Sequence, residues 1–239
     1  MKKEKRKKLR GKGHKLFSFL KLFVKKPKIV YLGEKIKSPS IILSNHAGTS
    51  APLTLDLYLD VPFRFWGTYE MNGNFGSVYK YLSEIFYHQK KHWNLFLARL
   101  FCIIAAPVAM MFYRGLNLIS TYKDHRFKKT IEESIKTLKD GNSVLIFPED
   151  SSTGYHDNLT SFFGGFATLA KLCYKKGMDL PIYVSYYIKK SKTYVVDKPI
   201  LFSELTKDGF NKEKIAKRLC DRTNELKDLN FENLQKINN

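Results

Sequence analysis

The stretch Ile41-Ile42-Leu43-Ser44-Asn45-His46-Ala47-Gly48-Thr49-Ser50-Ala51-Pro52 decides how the rest of the chain is read. The apolar run Ile41 to Leu43 predicts a buried strand, and Pro52 suits the first turn of a following helix. His46 then falls on a strand-to-helix turn, where its side chain can face a cleft while the backbone stays anchored. About a hundred residues later, Ser143-Val144-Leu145-Ile146-Phe147-Pro148-Glu149-Asp150-Ser151-Ser152 repeats the form, a strand breaking at a proline into polar residues. In an α/β sheet, sites are built at such strand ends.

The 239 residues allow one large domain or two small ones, and 44% apolar with 27% charged residues is ordinary for a folded chain. The formal charge of +20 is not ordinary, and its distribution is uneven. Residues 1–28 carry thirteen Lys and Arg against the single acid Glu4, which leaves a net +8 for the other 211 residues. Such an arm suits anionic lipid headgroups or nucleic-acid phosphates on charge alone. Cys102, Cys173 and Cys220 have no CxxC spacing, which argues against a disulfide framework or a zinc site. Lys21 splits the first apolar run and no small-residue cleavage pattern follows, so an intracellular protein is expected.

Along the chain, residues 1–13 read as a basic tail. Leu16, Phe19, Leu20 and Phe23 then recur at helical spacing, with His14, Ser18, Lys21 and Lys25 on the opposite face. A basic amphipathic helix after a polybasic tail predicts a membrane-surface element; the alternative is a helix packing on the domain. The expected boundaries are 1–28 for this element and 29–239 for the globular domain. A helix over Pro52 to Tyr58, a strand over Phe63 to Gly67 and a helix over 75–91 follow. His88 and His92 are one turn apart, but Gln89-Lys90-Lys91 between them supplies no acid and predicts a solvated face rather than a metal site. Leu100 to Tyr113 holds fourteen uncharged residues divided by Pro107, short of the roughly 20 a spanning helix needs. A buried or interfacial helix, then a strand over Ala109 to Tyr113 ending at Arg114, is the expectation. Further on come a helix around Phe127 to Leu138 ended by Gly141, the strand from Ser143, a helix over Gly165 to Lys176, strands over Ile182 to Ile188 and Thr193 to Val196, and a helix over Asn211 to Leu229. Alternating strands and helices predict one α/β domain with a mixed, largely parallel sheet flanked by helices.

Four pieces of this pattern stand in order: Asn45-His46, Phe112-Tyr113-Arg114, Leu145-Ile146-Phe147-Pro148-Glu149 and Pro181-Ile182. Together, over residues 40–225, they resemble the glycerolipid acyltransferases typified by 1-acyl-glycerol-3-phosphate (lysophosphatidate) acyltransferase. The family's first motif is Asn-His, four residues and Asp; the second an aromatic-rich strand ending in Arg; the third Phe-Pro-Glu-Gly-Thr-Arg; the fourth a proline opening an apolar strand. The resemblance implies a glycerol-3-phosphate acyltransferase-like fold. It also implies an O-acyltransferase using acyl-CoA or acyl-ACP, with His46 as general base and no cofactor or metal. Glu149 and Arg114, with Asn45, Ser151 and Ser152, would bind the acceptor, a lyso-glycerolipid or related alcohol, at the cytoplasmic face of an anionic membrane.

The departures carry their own expectations. The motif's Asp falls at Ala51, and Asp56, five residues on, is rotated about 140° from it around a helix. Asp150 stands where the family has Gly, so Asp150 or Glu149 is expected to orient His46 in place of the lost acid. The Gly-Thr-Arg cation is missing, which predicts weaker phosphate recognition and opens the acceptor to neutral or sugar-bearing alcohols. Histidine suits proton removal from a hydroxyl near neutral pH, a partner on its second ring nitrogen would fix the tautomer, and backbone N–H groups opening the next helix could meet the oxyanion. No Gly-x-Ser-x-Gly suggests a covalent intermediate. The competing reading is a non-catalytic lipid-surface or nucleic-acid-binding protein on the same fold; no RNA-binding aromatic signature supports a nucleic-acid partner.

Overall fold

The computed structural model describes Leu9 and residues 14–229. Eight strands form one sheet: β1 (Lys28–Tyr31), β2 (Ile41–Ser44), β3 (Phe63–Thr68), β4 (Ile119–Thr121), β5 (Ser143–Ile146), β6 (Pro181–Ile188), β7 (Thr193–Val196) and β8 (Ile200–Leu201). The order is β1-β7-β6-β2-β5-β3-β4, with β8 on β6. Among the described strand pairings only those of β6 with β7 and β8 are antiparallel, so the sheet is mixed and largely parallel, as the sequence predicts. Helices α1 (Ser50–Tyr58), α2 (Phe75–Lys80), α3 (Leu95–Leu116), α4 (Phe127–Lys139), α5 (Gly165–Tyr174), α6 (Phe202–Leu205) and α7 (Lys212–Lys227) cover it.

Why β2 and β5 lie at the centre follows from their side chains. Ile41, Ile42 and Leu43 are fully buried, as a strand covered on both faces requires. Successive side chains point to opposite faces. Ile41 and Leu43 join Val144 and Ile146 in the core beneath α4, α5 and α7. Ile42 and Leu145 join Phe63, Phe65 and Tyr183 in the core beneath α1, where Ala51 and Leu55 point inward. The parallel register Leu43↔Ile146 puts the two strand ends side by side. His46 and Glu149 each lie three residues beyond that pair, which is how residues a hundred apart in sequence meet.

Three sequence expectations change. The strand over Ala109 to Tyr113 does not form: α3 runs unbroken for 22 residues through Pro107. Its small residues Cys102 and Ala106 pack with Val78, Tyr81 and Leu82, and this packing outweighs the one i→i−4 bond that proline removes. The amphipathic segment is a 3₁₀ helix, His14–Leu22, rather than an α-helix, and Phe17 is buried with its ring 4.9 Å from Phe112. The stretch 75–91 divides into α2 and a π-helical segment, Tyr81–Lys90. Lys28, at the expected boundary, already pairs with Thr193 in β1. The basic tail, apart from Leu9, lies outside the described residues.

Candidate active site

The turn after β2 is shaped by two left-handed residues, Ala47 at φ 43° and Gly48 at φ 70°. Glycine takes that conformation freely, whereas Ala47 costs about 1 kcal/mol or more. The double turn brings the Gly48 carbonyl back onto His46 Nδ1 in a short contact. A carbonyl only accepts, so Nδ1 carries the proton and Nε2 keeps its lone pair. The ring lies between Phe147, 4.6 Å away between centroids, and Tyr155 at 4.8 Å.

This setting dries the imidazole. Burial, reinforced by the nearby charges of Lys90 and Lys91 and opposed by the Gly48 contact, lowers the His46 pKa to about 4. Glu149 moves the other way. It is 8% exposed, and burial raises its pKa to about 7 against the pull of the His46 backbone N–H and Lys90. Its Oε1 accepts that backbone N–H at 3.1 Å, so Glu149 fixes the turn rather than the ring.

The remaining expected residues fall into place or out of it. The orienting-carboxylate expectation is corrected on geometry: Nδ1 meets the Gly48 carbonyl, and Asp150 Oδ1 accepts the Ser152 backbone N–H at 3.0 Å. That bond within its own loop holds the Asp150 carboxyl below the usual carboxylate range. Asn45 is buried, donating to the Tyr187 carbonyl at 3.2 Å and accepting the Tyr187 N–H at 2.6 Å. Its side chain therefore ties β2 to β6 instead of facing substrate. Arg114 is exposed near the end of α3 and does not line the cleft, because the continuing helix carries it away. Ser151 lines the cleft and accepts from Lys90 Nζ at 2.6 Å, while Ser152 is exposed. Asp56 is buried in α1. Among the described residues no three His, Cys, Asp or Glu cluster as metal ligands.

Sequence reasoning missed Lys90 and Tyr155. The solvated face expected of Gln89-Lys90-Lys91 holds for Gln89 and Lys91, which are exposed, but Lys90 is partly buried and its ammonium lies 5.2 Å from the centroid of the Tyr155 ring. An α-helical wheel does not place Lys90, because the segment ending there winds as a π-helix. The cleft that Lys90 and Tyr155 line has a volume of about 1370 Å³ and runs from His46 to Ile104 and Val108 of α3. That exceeds the roughly 300–1,000 Å³ of ordinary small-molecule pockets and leaves room for more than one chain-like ligand.

No protein-family model and no curated protein matches the chain. Among solved structures it is similar to the crystal structure of the 1-acyl-sn-glycerophosphate (LPA) acyltransferase, PlsC, from Thermotoga maritima. The two share 17% sequence identity over 95% of this chain and 80% of that one, with a TM-score of 0.44.

Proposed function

We propose that the protein is an acyltransferase that moves an acyl group from a thioester, acyl-CoA or acyl-ACP, to a hydroxyl of a lyso-glycerolipid. The observation that carries this reading is the His46 ring, its Nδ1–H held by the Gly48 carbonyl and its basic Nε2 left at a large apolar cleft. In the proposed step Nε2 takes the hydroxyl proton as the oxygen attacks the thioester carbonyl. The C–O bond forms, the C–S bond breaks, and the imidazolium returns the proton to the departing thiolate. A pKa of about 4 keeps the imidazole neutral, in its base form, at cellular pH. Backbone N–H groups where α1 begins would meet the developing oxyanion. The sequence motifs that fall at strand ends beside the cleft, Asn45-His46 and Phe147-Pro148-Glu149, support the same chemistry.

The reading includes a membrane. Helix α3 is about 33 Å long at 1.5 Å per residue and exposes Phe96, Leu100, Ile104 and Val108 at 53–77%, while its other face packs on the domain. Leu22 and Phe23 beside it are 83% and 77% exposed. A soluble monomer seldom exposes so continuous an apolar surface. With one side of α3 held by protein, a monotopic seat in one leaflet accounts for both faces, and the basic arm would draw the protein to anionic lipid on the cytoplasmic side. Because Ile104 and Val108 also line the cleft, acyl chains would enter sideways from the bilayer.

The test uses full-length protein on vesicles of phosphatidylcholine and phosphatidylglycerol, given acyl-CoA or acyl-ACP and a panel of lyso-lipids and neutral monoacylglycerols. Thiol release that requires an acceptor, with the matching ester formed, is the expected result. Release without acceptor, or none with any pair, overturns the reading.

A further inference from the structure

The family's third-motif cation is absent from this sequence, yet the cleft is not short of positive charge. Lys90 and Lys123 line it from two separate elements, and exposed Lys91 stands next to Lys90 at its edge. Lys90 and Lys91 come from the end of the π-helical segment, and Lys123 from the loop after β4. Lys90 Nζ gives one proton to Ser151 Oγ at 2.6 Å, which leaves two more donors on that ammonium. The Lys91 ammonium lies 5.8 Å from the centroid of the same Tyr155 ring and 3.5 Å from where a Cβ on Gly48 would stand. Lys123 stands 6.0 Å from the Phe163 ring centroid and close enough to Lys90 to act on its charge.

Among the described residues, the other Lys or Arg lining the cleft, Arg126, is already engaged, and so is Arg64 on β3. Arg126 is held by Asp124, with Nη2 to Oδ2 at 2.7 Å, and Arg64 by Glu133 at 2.6 Å. Among the described residues no carboxylate lies within ion-pair distance of Lys90, Lys91 or Lys123. Glu149 and Asp150 act on the Lys90 charge without pairing with it: burial raises the Glu149 pKa to about 7 and its Oε1 is taken by the His46 backbone N–H, while Asp150 is turned to the Ser152 N–H. Three positive charges around one aromatic-lined opening repel one another, and an anion with several acceptor oxygens relieves that repulsion.

We propose that Lys90, Lys91 and Lys123 form a phosphate-ester subsite beside His46. It supplies from a different element the positive charge that the third motif lacks, and it reverses the expectation of weak phosphate recognition. Which phosphate it takes rests on the acyl-transfer reading. An acceptor of the lysophosphatidate type would place its glycerol hydroxyls next to Nε2, whereas a CoA or phosphopantetheine phosphate would place the thioester there. The chemistry of recognition is the same for both.

The experiment begins with binding, which needs no turnover. Glycerol 3-phosphate and CoA are titrated by calorimetry into the wild-type full-length protein, Lys90→Gln/Lys91→Gln, and the charge-retaining Lys90→Arg/Lys91→Arg. Saturable binding of at least one ligand is expected, weakened about 10- to 100-fold in the Gln pair and largely kept in the Arg pair. Kinetics then compare lysophosphatidate with monoacylglycerol, and acyl-CoA with phosphate-free acyl-N-acetylcysteamine. A KM rise confined to lysophosphatidate assigns the acceptor phosphate; one confined to acyl-CoA assigns the donor. Loss of binding in a protein that transfers no acyl group leaves the subsite standing and removes the acyltransferase reading. Equal binding of both ligands by wild type and a Gln pair that melts normally, or no binding by wild type, overturns the subsite.

Discussion

Glu149 and His46 are driven in opposite directions by the same burial, and removing either should expose the titration of the other. Glu149 has its pKa raised from the ordinary 4.5 to about 7, so the folded state binds a proton more tightly than the unfolded chain. Its contribution is fully present below pH 4.5 and is lost as pH rises through 7, a fall of about 3 kcal/mol at 1.36 kcal/mol per pH unit. His46 is lowered from 6.5 to about 4, so its contribution is present above 6.5 and lost as pH falls through 4. His46 keeps more solvent contact than Glu149, and that screening reduces the loss to about 2 kcal/mol. Between pH 4.5 and 6.5 the two slopes oppose each other, and the site of the wild type is nearly flat. Glu149→Gln keeps an acceptor for the His46 backbone N–H and removes one slope. Its stability relative to wild type should therefore climb by about 3 kcal/mol from pH 4.5 to 7. His46→Gln, relative to wild type, should fall by about 2 kcal/mol from pH 4 to 6.5. Urea unfolding at half-unit pH steps in a fixed detergent measures both. Difference curves that stay flat within about 0.5 kcal/mol would refute the burial argument for the site.

Two further perturbations test the scaffold and the surface. Asn45→Ala leaves the Tyr187 N–H and carbonyl without their side-chain partner, and should cost about 2–4 kcal/mol in urea unfolding, far more than an exposed polar substitution would. Replacing Leu100, Ile104 and Val108 together by Ser should weaken vesicle partitioning by about 3–5 kcal/mol, on the order of a thousandfold, in flotation with anionic vesicles. Because all three side chains are more than half exposed, the same variant should unfold at nearly the wild-type urea concentration.

The frame of the site was legible because it depends on local pattern. Two apolar runs ending in polar turns marked β2 and β5, and parallel neighbours in a sheet bring such ends together. The ring's partner was not legible. The motif departures point to Asp150 or Glu149, whereas the partner is a backbone carbonyl aimed by left-handed Ala47 and Gly48, which no spacing of side chains announces. Arg114 was misplaced for a related reason. Fourteen uncharged residues interrupted by a proline read as a helix and a strand, but packing of Cys102 and Ala106 on Tyr81 and Leu82 carried one helix through. Lys90 was hidden by the π-helical winding of its segment, which shifts every side chain relative to an α-helical count.

The central claim is that His46, held as the Nδ1–H tautomer, removes the acceptor's proton. Its most direct measurement is kcat/KM for acceptor-dependent thiol release by wild type, His46→Gln and Asp150→Asn, all on the same vesicles. The account predicts a loss of about 10²- to 10⁴-fold in His46→Gln, with most activity kept in Asp150→Asn, whose carboxylate is turned to Ser152. It predicts further that the wild-type rate does not fall between pH 7 and 5, where an ordinary histidine would become protonated. A His46→Gln enzyme as fast as wild type would contradict it.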